Sequence, residues 1–301
     1  MAPGAADRRG ANPLDTLGPI DPTNVADLKR VFALLRKPRN YKEFAQNFLV
    51  DQGARNAVVE AAALHADDEV LEVGPGSGVL TQQLVARARR VVALDIDPYL
   101  LEVTRVVCGG AKNLELRLED VRHVNLPKLF ASDRYIAASN VPYYLTGYVL
   151  ELLTSSTRAP RRIVLTVQQE VAERLVAPPG QHTLLSISVA TFGRAELVRV
   201  VPRTSFWPVP KVDSAIVRIE RHATPPVAAA EKKWFLRVVK AGFSARRKKL
   251  SNALAGGLHT TTVAAAAALQ AVGIQPNTRA QELTLESWAQ LSRYLKANGV
   301  A

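Results

Sequence analysis

Asn140-Val141-Pro142-Tyr143 brings a side-chain amide, a main-chain carbonyl beside a proline and an aromatic ring into four consecutive residues. Such a set can grip a planar ring that carries an amine. Two oxygens accept hydrogen bonds from the amine, and the aromatic face stacks on the ring. The tetrapeptide follows Tyr135–Ser139, a short apolar stretch that reads as a buried strand. Ligand sites in open α/β sheets lie at the carboxyl ends of strands, so the placement suits a binding loop. Asn-X-Pro is also an ordinary turn signal, and the four residues alone leave both readings open.

A second constellation lies upstream. Leu71-Glu72-Val73-Gly74-Pro75-Gly76-Ser77-Gly78 reads as a strand, a glycine-rich turn and the start of a helix. Glycine permits positive φ and close approach of the backbone to a ligand. The N-terminus of the following helix offers unpaired N–H groups to an anion. The spacing is G-x-G-x-G rather than G-x-G-x-x-G, which points away from a dinucleotide and toward a smaller nucleoside cofactor. There is no G-x-x-x-x-G-K-[ST] loop to anchor nucleoside triphosphate chemistry. Asp95 ends the next apolar run about 20 residues after Gly74, where an acid can take both hydroxyls of a ribose. Asp97 suits the cap of the helix that follows. After a third strand comes Glu119-Asp120-Val121, where an acid can accept from an adenine amino group while the Val121 N–H reaches a ring nitrogen.

Positioning these groups calls for strands that all end on one side. From about Arg39 to Glu220, apolar runs of strand length alternate with helical patterns. The strands are expected at Glu69–Val73, Arg90–Asp95, Leu114–Leu118, Tyr135–Ser139 and Arg162–Gln168, and the helices include Thr81–Arg87 and Tyr148–Ser155. This alternation predicts an α/β doubly wound parallel sheet. Leu184–Phe192, Ala195–Val201 and Ala215–Ile219 read as further strands whose short connections fit antiparallel pairing at one edge. Thr224-Pro225-Pro226-Val227 reads as a linker. Helices are then expected at Glu231–Phe243, Arg246–Leu254, Thr262–Val272 and Leu285–Leu295. The division is a flexible arm over 1–36, holding a short helix near Val25–Leu35, a cofactor-binding catalytic domain over 37–222 and a helical basic domain over 223–301.

The chain has 301 residues, 48% of them apolar, enough for one large core and a smaller one. Its single cysteine, Cys108, excludes an internal disulfide and a Cys-cluster metal site and fits a reducing compartment. The five histidines are scattered with no metal-ligand spacing, so no metal is expected. No apolar run approaches the roughly 18 residues of a membrane span, and the N-terminus lacks the apolar core of a secretory signal. A cytoplasmic monomer is the expectation. Residues 201–250 hold twelve Lys/Arg against three Asp/Glu, a balance of +9 out of the chain's +12. So local an excess, densest at Arg246-Arg247-Lys248-Lys249, points to a polyanionic partner, most often nucleic acid.

Taken together, the motifs resemble the class I S-adenosylmethionine-dependent methyltransferases, and within them the KsgA-type rRNA adenine N6-dimethyltransferases. The resemblance rests on Gln46-Asn47-Phe48-Leu49, Gly74–Gly78, Asp95, Asp120 and Asn140–Tyr143. It extends to Phe206-Trp207-Pro208-Val209-Pro210-Lys211-Val212-Asp213-Ser214-Ala215 and to Gly242–Leu250, and covers roughly residues 39–296. The family usually has Glu where Asp95 stands, Asn where Tyr144 stands and Lys where Gln169 stands, and Gln181–Leu184 lacks its usual Tyr-Gly.

The resemblance implies a Rossmann-like class I methyltransferase sheet, mostly parallel with an antiparallel edge, plus a small helical C-terminal domain. The implied cofactor is S-adenosylmethionine, held by Gln46, Asn47, Leu49, Gly74, Gly76, Gly78, Asp95, Ile96, Asp120, Val121 and Asn140. The implied catalytic set is Asn140, Pro142, Tyr143 and Phe206, the two rings stacking on an extruded base. Lys211 and Arg246–Lys249 are implied to hold RNA. The implied reaction is N6,N6-dimethylation of two adjacent adenines in a small-subunit (16S) rRNA hairpin, within an assembling 30S particle. Two other readings stand beside it. One is the Erm-type methyltransferase of 23S rRNA, linked to macrolide resistance. The other is an RNA-binding assembly factor that has lost turnover.

Overall fold

The structure, a computed structural model, describes residues 18, 20–34, 47–245 and 247–299. In chain order its elements begin with α1 (Val25–Leu34), β1 (Phe48–Leu49), α2 (Gln52–Ala62), β2 (Glu69–Val73), α3 (Thr81–Val85), β3 (Arg90–Asp95), α4 (Pro98–Val107) and β4 (Leu114–Leu118). There follow α5 (Leu126–Leu129), β5 (Ile136–Asn140), α6 (Thr146–Ser155), β6 (Arg162–Gln168), α7 (Gln169–Leu175), α8 (Leu184–Ala190), β7 (Gly193–Val201), β8 (Phe206–Trp207) and β9 (Ser214–Arg221). The chain ends in α9 (Ala229–Phe243), α10 (Leu250–Leu258), α11 (Thr262–Ala271) and α12 (Leu285–Ala297).

The main sheet has seven strands in the order β4-β3-β2-β5-β6-β9-β7. β2 pairs in parallel with β3, and β3 with β4. β9 pairs antiparallel with both β6 and β7, which supplies the expected antiparallel edge. Val70–Val73 and Val91–Leu94 are buried throughout, the near-continuous apolar signature of parallel strands covered on both faces. A separate two-stranded sheet pairs β1 with β8, Phe48 opposite Trp207 and Leu49 opposite Phe206.

By contact density the chain forms two compact units. The first comprises Met1–Val124, Ala138–Pro142 and Arg203–Lys211. In it, Asp51 caps α2 by accepting from the Ala54 N–H at 2.7 Å, and its other oxygen accepts from the Ser205 hydroxyl at 3.0 Å. The helix expected near Val25–Leu35 is present as α1. It is not part of a free arm: Leu28, Val31 and Phe32 are buried in one cluster with Phe48, Leu100, Val103 and Val107. The amphipathic spacing of these apolar residues gives α1 a face that must be covered. The rest of the expected arm lies mostly outside the described residues.

The second unit comprises Asn125–Ala137, Tyr143–Pro202 and Val212–Ala301. Leu184–Phe192, expected as a strand, folds instead as α8. Its alternating serines mimic a half-buried strand, but Thr183 and Ser186 form a reciprocal capping box that starts a helix. The C-terminal helices surround Trp288, Phe235, Leu254 and Leu269, and the same cluster takes in Ile187 from α8. The helical C-terminus falls in this unit together with β6, β7 and β9. Arg247, Lys248 and Lys249 are exposed on the connection between α9 and α10, where a helix was expected from Arg246 onward. Arg246 itself lies outside the described residues.

Candidate active site

The glycine-rich turn follows β2 directly. The Gly74 N–H donates to the Leu94 carbonyl at 2.8 Å, which ties the turn to the end of β3. Gly74, Gly76 and Gly78 have φ of +72°, +59° and +77°, the left-handed region that side chains resist. Close approach also demands glycine here. A Cβ on Gly76 would lie 3.3 Å from the Phe48 ring, and one on Gly78 would lie 3.1 Å from Val107. The Thr104 hydroxyl steadies the turn by donating to the Gly76 carbonyl at 3.3 Å. Gly78→Ala combines strain of about 1–2 kcal/mol with that contact. It should weaken cofactor affinity by about tenfold, measured by isothermal titration.

The tetrapeptide loop lies against this turn. The Val73 N–H donates to the buried Ser139 hydroxyl at 2.8 Å, joining the ends of β2 and β5. A Cβ on Gly74 would sit 3.4 Å from Pro142 Cδ, so the bare glycine lets the proline ring lie on the turn. Asn140 Nδ2 donates to the Asn47 carbonyl at 3.4 Å. With the amide nitrogen so anchored, Oδ1 is turned the other way as an acceptor. Val141 is buried beneath the loop. Tyr143 starts the next segment, in the second unit, where its hydroxyl lies 2.7 Å from Ser214 Oγ. Burial pushes its phenol pKa up, the Ser214 hydrogen bond pulls it back and the Asp213 charge adds to the rise, so Tyr143 acts as a neutral ring.

The other strand ends vary in how well they match expectation. Asp95 Oδ1 accepts from the Asp97 N–H at 3.0 Å, and Asp97 caps α4 by accepting from the Tyr99 N–H, as anticipated. Ile96 is exposed beside them and Val121 is buried. Asp120 is already engaged: both its oxygens accept from Arg122, the closest contact being 2.6 Å, and one also accepts from the Arg122 N–H. That guanidinium and N–H hold its pKa down at about 2. Asn47 and Leu49 flank the site, Leu49 buried and Asn47 half-buried. Gln46 lies outside the described residues.

Phe206, expected to offer a second stacking face, is only 2% exposed in this structure. Its backbone is paired to Leu49 in the β1–β8 ladder, and Leu49 is buried beside it. Lys211 is exposed.

One group went unnoticed in the sequence. Glu72 is 1% exposed. Its Oε2 is buried without a hydrogen-bond partner, as are Ser77 Oγ and Thr81 Oγ1. Burial pushes the Glu72 pKa up to about 8; Thr81 lies near enough to favour the charged form, without forming a bond of ordinary geometry, and the Asp95 charge raises it further. An acid inside the apolar run Leu71-Glu72-Val73 was the available signal. Burial first, and then the Glu72 charge, push the Cys108 thiol up to about 12, which leaves it inert.

A family model described as ribosomal RNA adenine dimethylase matches residues 38–297. The chain belongs to this family. The curated relatives of this dimethylase include ribosomal RNA small subunit methyltransferase A of Dehalococcoides mccartyi, 38% identical over 83% of this chain and 86% of the relative. The protein of that name from Moorella thermoacetica is 36% identical over 91% of this chain and 99% of its own length. Among solved structures, the 23S rRNA methyltransferase ErmE matches with a TM-score of 0.67 and 28% identity, over 83% of this chain and 100% of ErmE. A Plasmodium falciparum dimethyladenosine transferase matches with a TM-score of 0.70 at 24% identity, over 83% of this chain and 97% of its own, which speaks for the fold. The dimethylase thus has the class I methyltransferase fold. No helix among its described residues is long and apolar enough to cross a membrane.

Proposed function

We propose that this dimethylase transfers methyl groups from S-adenosylmethionine to N6 of two adjacent adenines in a hairpin near the 3′ end of small-subunit rRNA, during assembly of the small subunit. The observation that carries the proposal is the seating of Asn140–Pro142 against Gly74 and Asn47. It sets an amine-gripping loop beside a turn built to admit a nucleoside. The residues present fit that cofactor: three left-handed glycines, an acid at the end of β3 and orphaned buried polar atoms beneath the turn. Gln46, Asn47, Leu49, Ile96 and Val121 would complete its pocket. Asp120 would accept from the adenine amino group with a carboxylate that Arg122 already orients.

The cofactor supplies a methyl group on a sulfonium, already a good leaving group. What the chain must supply is a competent nucleophile, because the N6 lone pair is delocalised into the adenine ring. Asn140 Oδ1 accepts one N6 proton and the Val141 or Pro142 carbonyl accepts the other. Both hydrogen bonds draw N6 toward tetrahedral geometry and aim its lone pair. The gain is positioning and preorganised electrostatics. Tyr143 stacks on the extruded base, worth roughly 1–3 kcal/mol. The ammonium product is acidic enough to lose its proton to water.

Residues 37–222 carry the chemistry in this proposal, and residues 223–301 hold RNA. Lys211 and the exposed Arg247-Lys248-Lys249 loop meet phosphates, together with Arg246. Replacing Arg247, Lys248 and Lys249 by alanine should weaken RNA binding and flatten its log–log salt dependence by roughly two units, at about 0.7–0.9 per phosphate contact. Cofactor affinity should not change. A salt slope equal to wild type would leave these residues as mere surface.

The Erm-type alternative has the weaker support: the small-subunit relatives reach 36–38% identity, against 28% for ErmE. Labelled S-adenosylmethionine incubated with the protein and unmethylated small or large subunits decides the matter. Label mapped to adjacent adenines near the small-subunit 3′ end is expected. Label on the large subunit would establish the Erm-type activity, and no label on either would point to a non-catalytic assembly factor.

A further inference from the structure

The matched family region begins at residue 38, yet α1 lies before it and is built into the wall of the site. Three rings from three parts of the chain meet there. Phe32 of α1 lies 5.1 Å from Phe48 and stacks at 6.2 Å on Trp207, while Phe48 and Trp207 stack at 6.4 Å. These spacings suit attractive aromatic pairs. Lys29, one turn earlier on α1, sits 6.0 Å over the Trp207 ring. Thr23, just ahead of α1, accepts from Gln52 Nε2 of α2 at 3.1 Å.

Each ring that Phe32 touches leads to a working part. Phe48 is the residue whose ring fills the space over Gly76, 3.3 Å from where a Cβ would stand. Trp207 is the backbone partner of Phe48 and the neighbour of Phe206, on the strand that leads to Lys211. The β1–β8 ladder has only two residue pairs, too few to hold its register alone. Phe32 covers both residues of one pair from the outside.

We infer that α1 is a positioning element for methyl transfer, with Phe32 locking the cofactor turn, through Phe48, in register with the target-side strand, through Trp207. The inference rests on the proposed reading of the site. Phe32 touches no reacting atom. It sets the spacing between the donor's cradle and the loop that receives the acceptor, and a misplacement of an ångström there costs rate without costing binding.

The test uses the full chain and small subunits, with Phe32→Leu and Phe32→Tyr beside wild type. Leucine keeps the apolar burial and loses the ring; tyrosine keeps the ring. Phe32→Leu is expected to melt close to wild type and to hold S-adenosylmethionine within about threefold, with KM for the subunit unchanged. Its kcat should fall by about tenfold or more. Phe32→Tyr should restore kcat. A Phe32→Leu protein with wild-type kcat would overturn the inference, as would equal kcat losses in both variants. Failure of the wild-type protein to label the small subunit would instead sink the proposed function and is distinguishable at once.

Discussion

Asn140→Ala should lower kcat for methyl transfer by about 10²–10³-fold, the scale on which one preorganised polar contact to a reacting group acts. Cofactor affinity should stay within about threefold, because the side chain's only described partner is the Asn47 carbonyl. Titration calorimetry with S-adenosylmethionine and single-turnover labelling of small subunits separate the two quantities. Asn140→Asp is the sharper variant. It keeps an oxygen where Oδ1 stands but replaces the anchoring donor with a second acceptor facing the Asn47 carbonyl. Transfer should fall there too, through misplacement of the loop. Turnover unchanged in Asn140→Ala would refute the amide's role outright.

The second large effect concerns stability. Glu72 is fully enclosed and its pKa is raised from 4.5 to about 8. In the unfolded chain the carboxyl loses its proton near 4.5, while in the folded protein it keeps it until about 8. Between those values the folded state binds more protons than the unfolded one, so stability falls as pH rises and levels off above about 8. The loss is on the order of 5 kcal/mol. Glu72→Gln removes the titrating group while preserving shape. Thermal melts of cofactor-free protein from pH 5 to 9 should show a steeper decline for wild type than for Glu72→Gln. Parallel profiles would mean that the carboxylate is accommodated in the fold without this cost.

Much of the site was legible because its signals are local. A strand, three glycines and a helix start occupy Leu71–Thr81, and the Asn140–Tyr143 loop carries its own chemistry. All seven strands of the main sheet follow from apolar runs of strand length, with ends within two residues of those expected. Other features depend on contacts that no local pattern carries. Leu184–Phe192 alternates like a strand, and only the Thr183–Ser186 box and the burial of Ile187 among C-terminal helices make it α8. Phe206 reads as an aromatic in a loop; its burial comes from pairing with Leu49, remote in sequence. Asp120 reads as an available acid, and the arginine two residues on takes both its oxygens. The packing of α1 on Phe48 and Trp207 joins three segments that are far apart along the chain.

Tyr144 stands where the resembled family usually has Asn, and it is 62% exposed. Nothing in the structure explains the substitution.

The two-residue ladder between β1 and β8 also has a topological consequence. It clips together Phe48 and Trp207, about 160 residues apart, and so closes a very long loop. The entropy of closing a loop grows only with the logarithm of its length, so doubling it would cost only about 0.6 kcal/mol. The chain between the clip's two halves can therefore lengthen, shorten or be exchanged at little thermodynamic cost to the clip itself. A fold built this way can acquire new loops for new RNA targets while the donor cradle and the target-side strand stay fastened to each other.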